Sequence, residues 1–242
     1  MDGLKKGTQE LHRATGIVAS MLAHPLRTFL WLTLALFAIR PALEMGPMLL
    51  VIDAIFTIVL IAVMHQLSHS KAIFVGSLLI LALTVAARMT EDDNHTFSWL
   101  TEAATALSAL LIGVVIALLL SYVLRTPRVT HNTVLAAVCI YILLGVLWGF
   151  IYLIIYEANP KSFDLDPTLG PPEVQLRYFS TLTLTTVGYG DIVPKGSEAR
   201  AFAALEALIG QIYMAAIIAR LVGIEVATSA AASAATSPEA EG

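Results

Sequence analysis

Apolar residues are concentrated in six long stretches of the sequence, which short polar segments separate. Each stretch is close to the roughly 20 residues that an α-helix needs to cross the hydrocarbon of a bilayer. The regular strand alternation that builds an outer-membrane barrel is absent from them. The pattern therefore predicts an all-α membrane protein with six transmembrane helices. The stretches are residues 26–43, 48–64, 72–89, 99–124, 133–156 and 198–226.

A seventh apolar stretch, residues 174–185, is too short to cross the membrane. As a helix it would reach about 18 Å, which is roughly half of the hydrocarbon thickness. It lies between the fifth and sixth stretches, after a polar loop that contains four prolines. We therefore expect a re-entrant helix that enters the membrane and is followed by a returning loop.

The composition is that of a protein that mostly faces lipid. Of the 242 residues, 57% are hydrophobic and 13% are charged, whereas a soluble domain carries about 25% charged residues. The fifth stretch ends in Trp148, Tyr152 and Tyr156, which are typical of the aromatic belt at a membrane surface. No basic tract suited to phosphate binding is present, so we expect membrane lipids and no nucleic acid as partners.

Catalytic and metal-binding motifs are not found in the sequence. The single cysteine, Cys139, lies in an apolar stretch and can form no intrachain disulfide. There is no nucleophile elbow, no phosphate-binding loop and no zinc-ligand spacing. We therefore predict that the protein is not an enzyme and carries no cofactor.

The segment after the short helix, residues 185–190, carries the candidate chemistry. Backbone at membrane depth must be hydrogen-bonded unless it is buried in protein or lines a water-filled path. This segment cannot continue as a helix, because two glycines interrupt it and Asp191 follows it. Glycine adopts positive φ without strain, which lets successive carbonyl groups face the same side. Four carbonyls can then face one axis, those of Thr186, Val187, Gly188 and Tyr189.

Such an axis requires more than one chain. Four chains around it would form rings of four oxygens, and the Thr186 hydroxyl groups would add a ring at the inner end. Rings of this kind replace the water shell of a K⁺ ion, and several adjacent rings let one ion displace the next. Because a single chain supplies only one arc of each ring, the pattern predicts a homotetramer with K⁺ ions in a central pore.

The residues from Thr186 to Asp191, Thr-Val-Gly-Tyr-Gly-Asp, resemble the signature of the potassium channel family. Residues 180–185 resemble the pore helix of that family, and the resemblance covers residues 133–226. It implies an outer helix, a pore helix, a selectivity filter and an inner helix that together conduct K⁺ passively. It implies that Thr186, Val187, Gly188 and Tyr189 bind the ion and that Gly190 and Asp191 form the outer mouth.

The resemblance also implies supporting roles outside the filter. Tyr178 and Phe179 match the aromatic cuff that supports the filter from behind. Glu206 falls behind the filter and would brace the pore helix, with direct ion contact as the alternative. Gly210 falls at the inner-helix gating hinge, with close helix packing as the alternative. Leu182 replaces a carboxylate that pairs with the outer aspartate in some members, so inactivation through that pair is not expected.

The first four helices have the layout of a voltage-sensor domain. Sensors carry several arginines on the fourth helix, because each charge that crosses the field gains about 2.3 kcal/mol per 100 mV. Residues 99–124 contain no Lys or Arg, so we expect no steep voltage gating through this helix. Asp53, inside the second helix, is a candidate intramembrane sensor, with a structural hydrogen bond as the alternative.

The predicted chain has five parts and both termini in the cytoplasm. In this orientation the inside segments carry slightly more of the 14 Lys and Arg residues than the outside segments. The Ala-rich, Lys-poor composition resembles that of a bacterial protein, which predicts the bacterial inner membrane as the location. The parts are a cytoplasmic N-terminal segment (1–25), a four-helix domain without gating arginines (26–124), a short linker (125–132), a pore domain (133–226) and a disordered C-terminal tail (227–242).

Two other functions remain open on the sequence alone. One is a non-selective cation channel, which a departure from fourfold symmetry could produce. The other is the membrane subunit of a K⁺ transport system, although such systems usually carry four pore-like repeats in one chain and this sequence has one. Regulation would come from the membrane domain, the N-terminal segment or a separate regulatory protein.

Overall fold

The computed structural model describes residues 25–39, 98–127 and 129–236, together with short pieces between residues 60 and 86. The second predicted span lies outside the described residues except for residue 60, and most of the third lies outside them. Asp53 and nearly all of the predicted N-terminal segment also lie outside them.

The described residues form helices joined by turns and one long loop. Two short 3-10 helices, Pro160–Ser162 and Pro167–Leu169, lie in the loop between the third and fourth α-helices. The α-helices are α1 (Pro25–Ile39), α2 (Ser98–Arg125), α3 (His131–Ala158), α4 (Pro172–Leu184) and α5 (Ser197–Thr236).

Three stretches of these helices are long and apolar enough to cross a membrane. They are Glu102–Arg125, His131–Ala158 and Ser197–Ile224, and they coincide with the fourth, fifth and sixth predicted spans. The 13 residues of α4 give a length of about 20 Å, so α4 is the short helix that the sequence predicts. The prediction of a helical membrane protein is confirmed for the described residues.

Side-chain caps fix the beginning of α3 and the turn after it. Thr130 precedes the helix, and its hydroxyl accepts a hydrogen bond from the backbone N–H of Thr133, whose own side chain bonds back to the Thr130 N–H. This reciprocal capping box satisfies backbone donors that the first turn of a helix leaves free. At the other end, Asn159 accepts from the N–H of Lys161 and starts the outer loop.

The last helix, α5, is longer than the sequence predicted. The prediction placed a disordered tail after residue 226, but α5 continues to Thr236. Alanine has the highest helix propensity of all residues, and residues 227–236 consist mainly of alanine with serine and threonine. The helix thus extends ten residues past the predicted span, and the disordered tail stays a prediction.

Helix α3 is the centre of the packing. The helices α1, α2, α4 and α5 all contact it. Its first half packs in a cluster of mostly aliphatic side chains, here called the aliphatic cluster, and its second half packs in an aromatic cluster. The aliphatic cluster includes Phe29, Ile112, Val115, Leu119, Ile140 and Leu143. The aromatic cluster includes Trp148, Tyr152, Phe163, Leu176, Phe179 and Ile192.

The aromatic cluster corrects one prediction from the sequence. Trp148 and Tyr152 were predicted to lie in an aromatic belt at the membrane surface, but both are buried inside the protein. The ring of Tyr152 packs edge-on against Phe163 at 5.5 Å and Phe179 at 5.1 Å. Aromatic residues near the end of a span can lie at the membrane surface or pack inside the protein. The pattern of apolar positions does not distinguish these roles, because it does not show what packs beside them.

Candidate functional site

The short helix α4 is held against α3 by close backbone contact and by hydrogen bonds. The space beside Gly149 is filled by Arg177, since a Cβ built at Gly149 would lie 3.1 Å from the Arg177 Cα. One turn before Gly149 in α3, the carbonyl of Gly145 accepts a hydrogen bond from the Ser180 hydroxyl over 2.7 Å. Tyr141 donates to the carbonyl of Leu184, the last residue of α4, over 3.0 Å. The part of α4 from Arg177 to its C-terminal end is thus fixed relative to α3.

The filter segment, residues 185–190, turns back toward the end of α4. The N–H of Thr186 donates to the carbonyl of Thr183 over 3.1 Å. The N–H groups of Val187 and Gly188 both donate to the carbonyl of Leu182, over 2.9 and 3.3 Å. The first half of the segment therefore has its donors satisfied by α4.

The backbone of the filter segment alternates in handedness. Thr186, Gly188 and Gly190 have positive φ, at 60°, 52° and 80°, whereas Val187 and Tyr189 do not. Alternation of this kind lets successive carbonyl groups face the same side. Among the described residues, no hydrogen bond reaches a backbone carbonyl oxygen of residues 185–190. These oxygens are therefore free to bind a ligand.

The positive φ of Gly188 and Gly190 is expected for glycine, but the positive φ of Thr186 was not predicted from the sequence. Thr186 is the only described residue other than glycine in this conformation, which is unusual for a β-branched side chain. Such a conformation costs about 1–3 kcal/mol and persists only where the surroundings impose it. No sequence signal indicates it, since threonine is otherwise common in helices and strands.

The filter segment is exposed in the single chain. Tyr189 is 74% exposed and Val187 is 49% exposed, although both are large apolar side chains. Among the described residues there is no group of three His, Cys, Asp or Glu side chains that could hold a metal ion. The free carbonyl oxygens are consequently the candidate ligands for a cation.

Of the two residues predicted to form the outer mouth, Gly190 and Asp191, the second is held by a side chain of α4. The hydroxyl of Tyr178 donates to Asp191 Oδ2 over 2.8 Å, and Asp191 Oδ1 accepts from the N–H of Ile192 over 3.1 Å. A hydrogen bond from Tyr178 thus reaches Asp191, although Leu182 cannot pair with it. The two predicted cuff residues separate here, because Phe179 is buried in the aromatic cluster while Tyr178 lies at the surface.

The outer loop between α3 and α4 is bonded to the chain that leaves the filter. The N–H groups of Lys195 and Gly196 donate to the carbonyl of Ser162, over 2.8 and 3.2 Å. The N–H of Asp164 donates to the carbonyl of Val193, and the Asp164 carboxylate pairs with the Lys195 ammonium at 2.7 Å. The filter segment is therefore anchored on both sides within one chain.

Asp166 shapes the same loop further from the filter. The hydroxyl and the N–H of Thr168 both donate to Asp166 Oδ1, over 2.7 and 2.8 Å. These hydrogen bonds favour the charged form and hold the pKa of the Asp166 carboxyl below its ordinary value. The loop therefore keeps this negative charge.

Glu206 lies behind α4 and is fully buried, with 0% of its surface exposed. Tyr152 of α3 donates to Glu206 Oε2 over 2.5 Å, and Ser180 of α4 lies 2.6 Å from Glu206 Oε1. The acid thus connects α3, α4 and α5, and we call these three side chains the acid cluster. The sequence singled out Glu206 but neither Tyr152 nor Ser180 as its partners.

Gly210, the predicted hinge, lies against the end of α4. A Cβ at this position would lie 2.9 Å from the Leu184 carbonyl oxygen and 2.9 Å from Leu184 Cδ1. The alternative named from the sequence, close helix packing, is therefore the contact that Gly210 makes. A hinge motion at Gly210 stays a prediction.

Arg220 of α5 contacts the end of the fourth predicted span. Its Nη2 donates to the carbonyls of Val123, Leu124 and Thr126, over 3.1, 2.7 and 3.3 Å. These oxygens belong to the last turn of α2 and the residue after it, where a helix leaves its carbonyls without partners. No sequence pattern indicates this contact, because the acceptors are backbone atoms.

Comparison with known proteins identifies the part of the chain that contains the filter segment. A family model described as "Ion channel" matches residues 174–225, from α4 through the filter segment to α5. Protein LctB of Bacillus caldotenax is 33% identical over 122 residues, which are 48% of this chain and 89% of the Bacillus protein. The chain belongs to the ion channel family. The predictions of an ion channel and of a membrane location are confirmed at this level.

A second relative of the channel is a plant protein. Two-pore potassium channel 2 of Arabidopsis thaliana is 32% identical over 91 residues, which are 38% of this chain. The channel spans only 18% of the length of that relative. No solved structure is significantly similar to the channel.

Proposed function

We propose that the channel is selective for K⁺ and conducts it passively through a central pore formed by four copies of the chain. The observation that carries this proposal is the filter segment, in which φ alternates in sign and the carbonyl oxygens have no partner among the described residues. Backbone of this kind at membrane depth needs an ion or water to satisfy it. The carbonyls of Thr186, Val187, Gly188 and Tyr189 are the proposed ligands, with the Thr186 hydroxyl at the inner end.

The choice of K⁺ follows from the chemistry of carbonyl rings. Neutral carbonyl dipoles replace the water shell of a weakly hydrated cation, and several sites in a row allow rapid exit. The relative from Arabidopsis, two-pore potassium channel 2, supports the same ion. In this proposal Gly190 and Asp191 form the outer mouth, and Tyr178, Phe179 and Glu206 support the filter.

The requirement for four copies is supported by the exposed surface of the single chain. Apolar side chains of α5, including Leu208, Ile212 and Val222, are exposed, as is Tyr189 beside the filter. Lipid can cover the side chains of a helix, but a filter needs protein on every side of its axis. A homotetramer covers the filter, and it leaves α1 and α2 to face the lipid of a bacterial inner membrane.

Voltage is not the proposed stimulus. The described part of the fourth span, α2, contains no Lys or Arg before Arg125 in its last turn. Moving one charge through the membrane field is worth about 2.3 kcal/mol per 100 mV, so a helix whose charged residues, Glu102 and Arg125, lie only at its two ends gains little from the field. We expect the open probability to change little with membrane potential.

Ion flux from liposomes that contain the purified protein tests the proposal. We expect K⁺ flux that Ba²⁺ blocks and that far exceeds Na⁺ flux. Gly188→Ala should abolish selective flux, because alanine at a φ of 52° is strained and would disturb the carbonyls on both sides. The matched control is Gly170→Ala, where φ is 98° in the outer loop away from the filter; it should keep the selectivity.

The outcomes separate the alternatives. Equal K⁺ and Na⁺ flux would retain the ion channel and remove the selectivity. Equal loss of flux in the Gly188 and Gly170 variants would show that backbone strain anywhere in the loop disables the protein, and would contradict the role given to the filter. A monomeric protein that still conducts would contradict the tetrameric pore.

A further inference from the structure

The acid cluster has three short contacts between oxygen atoms. Each contact needs one proton to be a hydrogen bond, and few protons are present. The contacts are Tyr152 Oη to Glu206 Oε2 at 2.5 Å, Glu206 Oε1 to Ser180 Oγ at 2.6 Å, and Ser180 Oγ to the Gly145 carbonyl at 2.7 Å. Tyr152 and Ser180 carry one hydroxyl proton each. A charged Glu206 would bring none, so two protons would serve three contacts.

The direction of each bond follows from the groups involved. The carbonyl of Gly145 can only accept, so the Ser180 proton is used for that bond. The Ser180 oxygen must then accept from its other neighbour, and that neighbour is Glu206 Oε1. Tyr152 donates to the second oxygen of Glu206. All three contacts are hydrogen bonds only if Glu206 itself carries a proton on Oε1.

The surroundings of Glu206 offer no positive charge to stabilise a carboxylate. Among the described residues Glu206 forms no ion pair. The titratable side chains that face it are Tyr152 and Tyr141 of α3, and neither is a cation. From α4 it meets Ser180, while the guanidinium of Arg177 lies over an aromatic ring of α3. A buried carboxylate without a partner is unfavourable, and becoming neutral removes that penalty.

We propose that Glu206 is a neutral carboxylic acid whose proton joins α5 to α4 behind the filter, and that losing this proton lowers K⁺ conduction. Without the proton, Ser180 cannot hold both Gly145 and Glu206, so one of the links that position α4 breaks. The α4 carbonyls bind the N–H groups of the filter segment, so a loosened α4 disturbs the filter directly. The second half of this inference rests on the proposed function, whereas the first half does not.

Infrared spectroscopy of the full-length protein in liposomes tests the first half. A protonated carboxylic acid has a carbonyl stretching band that is separate from that of a carboxylate. At neutral pH we expect such a band in the wild-type protein that is missing in Glu206→Gln and retained in Glu198→Gln, a matched change at an exposed position of the same helix. Ser180→Ala should keep the band but shift it, because the acid loses its acceptor. A wild-type spectrum without a component that depends on Glu206 would overturn the proposal.

Flux as a function of pH tests the second half. Each variant is normalised to its own flux at neutral pH. Flux through the wild-type protein and Glu198→Gln should fall at the alkaline pH where the infrared band disappears, and Glu206→Gln should show no such fall. Parallel pH profiles in all three proteins would refute the link between the proton and the pore. Absence of flux in every protein would count against the proposed function, while the infrared result would still decide the protonation.

Discussion

The two ends of α3 are held in different ways. Around its first half, α1 and α2 pack through the aliphatic cluster, and one polar link between α1 and α3 is the weak contact of the Cys139 thiol with the carbonyl of Leu26 at 3.8 Å. From Tyr141 onward, hydrogen bonds of Tyr141, Tyr152 and Ser180 join α3 to α4 and α5. Before Tyr141, the Tyr213 hydroxyl of α5 donates to the Ala137 carbonyl over 2.7 Å. The end of α3 that contacts α1 and α2 has mainly apolar packing, and the end toward the filter segment has most of the directional bonds.

The difference between the two ends of α3 corresponds to their neighbours, since one end packs against α1 and α2 and the other supports the filter segment. Apolar contacts are not directional, so helices packed through them can shift slightly at little cost. Ligands around an ion must keep their positions to within about 0.5 Å, which requires side chains locked by hydrogen bonds and close packing. The end of α3 that supports the filter segment is the one built with such bonds. Four variants test this contrast, and they follow in order of expected effect.

Gly210→Ala should have the largest effect on stability. Its new methyl group would overlap the Leu184 carbonyl oxygen, a backbone atom that cannot move aside without shifting α4. Overpacking of this kind costs about 1–3 kcal/mol. Thermal unfolding in detergent should show a clearly lower midpoint, and K⁺ flux should fall.

Gly223→Ala in the same helix is the control for Gly210→Ala. Among the described residues, no atom beyond its chain neighbours and the helix's own backbone lies within 4 Å of a Cβ at Gly223, so alanine should be neutral or slightly stabilising. If Gly210→Ala alters gating but leaves the midpoint unchanged, the hinge interpretation is favoured over the packing one.

Tyr152→Phe should lower stability by about 1–2 kcal/mol. The change keeps the buried ring but leaves one oxygen of Glu206 without a donor. Tyr156→Phe is the control, since Tyr156 is only partly buried at the end of the same helix. The unfolding midpoints of the two variants should differ, and equal midpoints would show that the acid cluster adds little to the filter end.

Arg220→Gln should have a smaller effect, about 1 kcal/mol, because the guanidinium is partly exposed to solvent. It removes the bonds from α5 to the last carbonyls of α2, the directional link at the aliphatic end. Arg200→Gln, at an exposed position of α5, is the control. Flux that is unchanged in both variants would show that α5 works independently of α2.

Ile140→Val should have the smallest effect on function. Ile140 is buried in the aliphatic cluster, and removal of one methylene typically costs about 0.5–1.5 kcal/mol. The ratio of K⁺ to Na⁺ flux should stay as in the wild-type protein, because no bond to α4 is lost. A changed ratio would contradict the division between the two ends of α3.

The sequence was sufficient for features that depend on composition along the chain. Hydropathy located the three spans that the structure describes, and a dozen apolar residues before two glycines located α4 and the filter segment. The sequence was insufficient where partners are far apart. Tyr152 and Ser180 lie 54 and 26 positions from Glu206, and a hydropathy pattern does not show which buried polar groups face each other.

Backbone features were the second limit. The positive φ of Thr186 and the carbonyl acceptors of Arg220 are properties of the main chain, which side-chain patterns do not report. The continuation of α5 past residue 226 has a related reason. The alanine-rich segment has a high helix propensity, which a hydropathy pattern does not report.

The bonds between the outer loop and the chain after the filter have a consequence for biogenesis. The pairs Ser162 with Lys195 and Asp164 with Val193 are formed inside one polypeptide, as are the bonds from α4 to the filter amides. A newly inserted subunit can therefore close this loop before it meets another copy. In the proposed tetramer, each subunit would contribute one preformed quarter of the pore, and association would only have to align the four quarters.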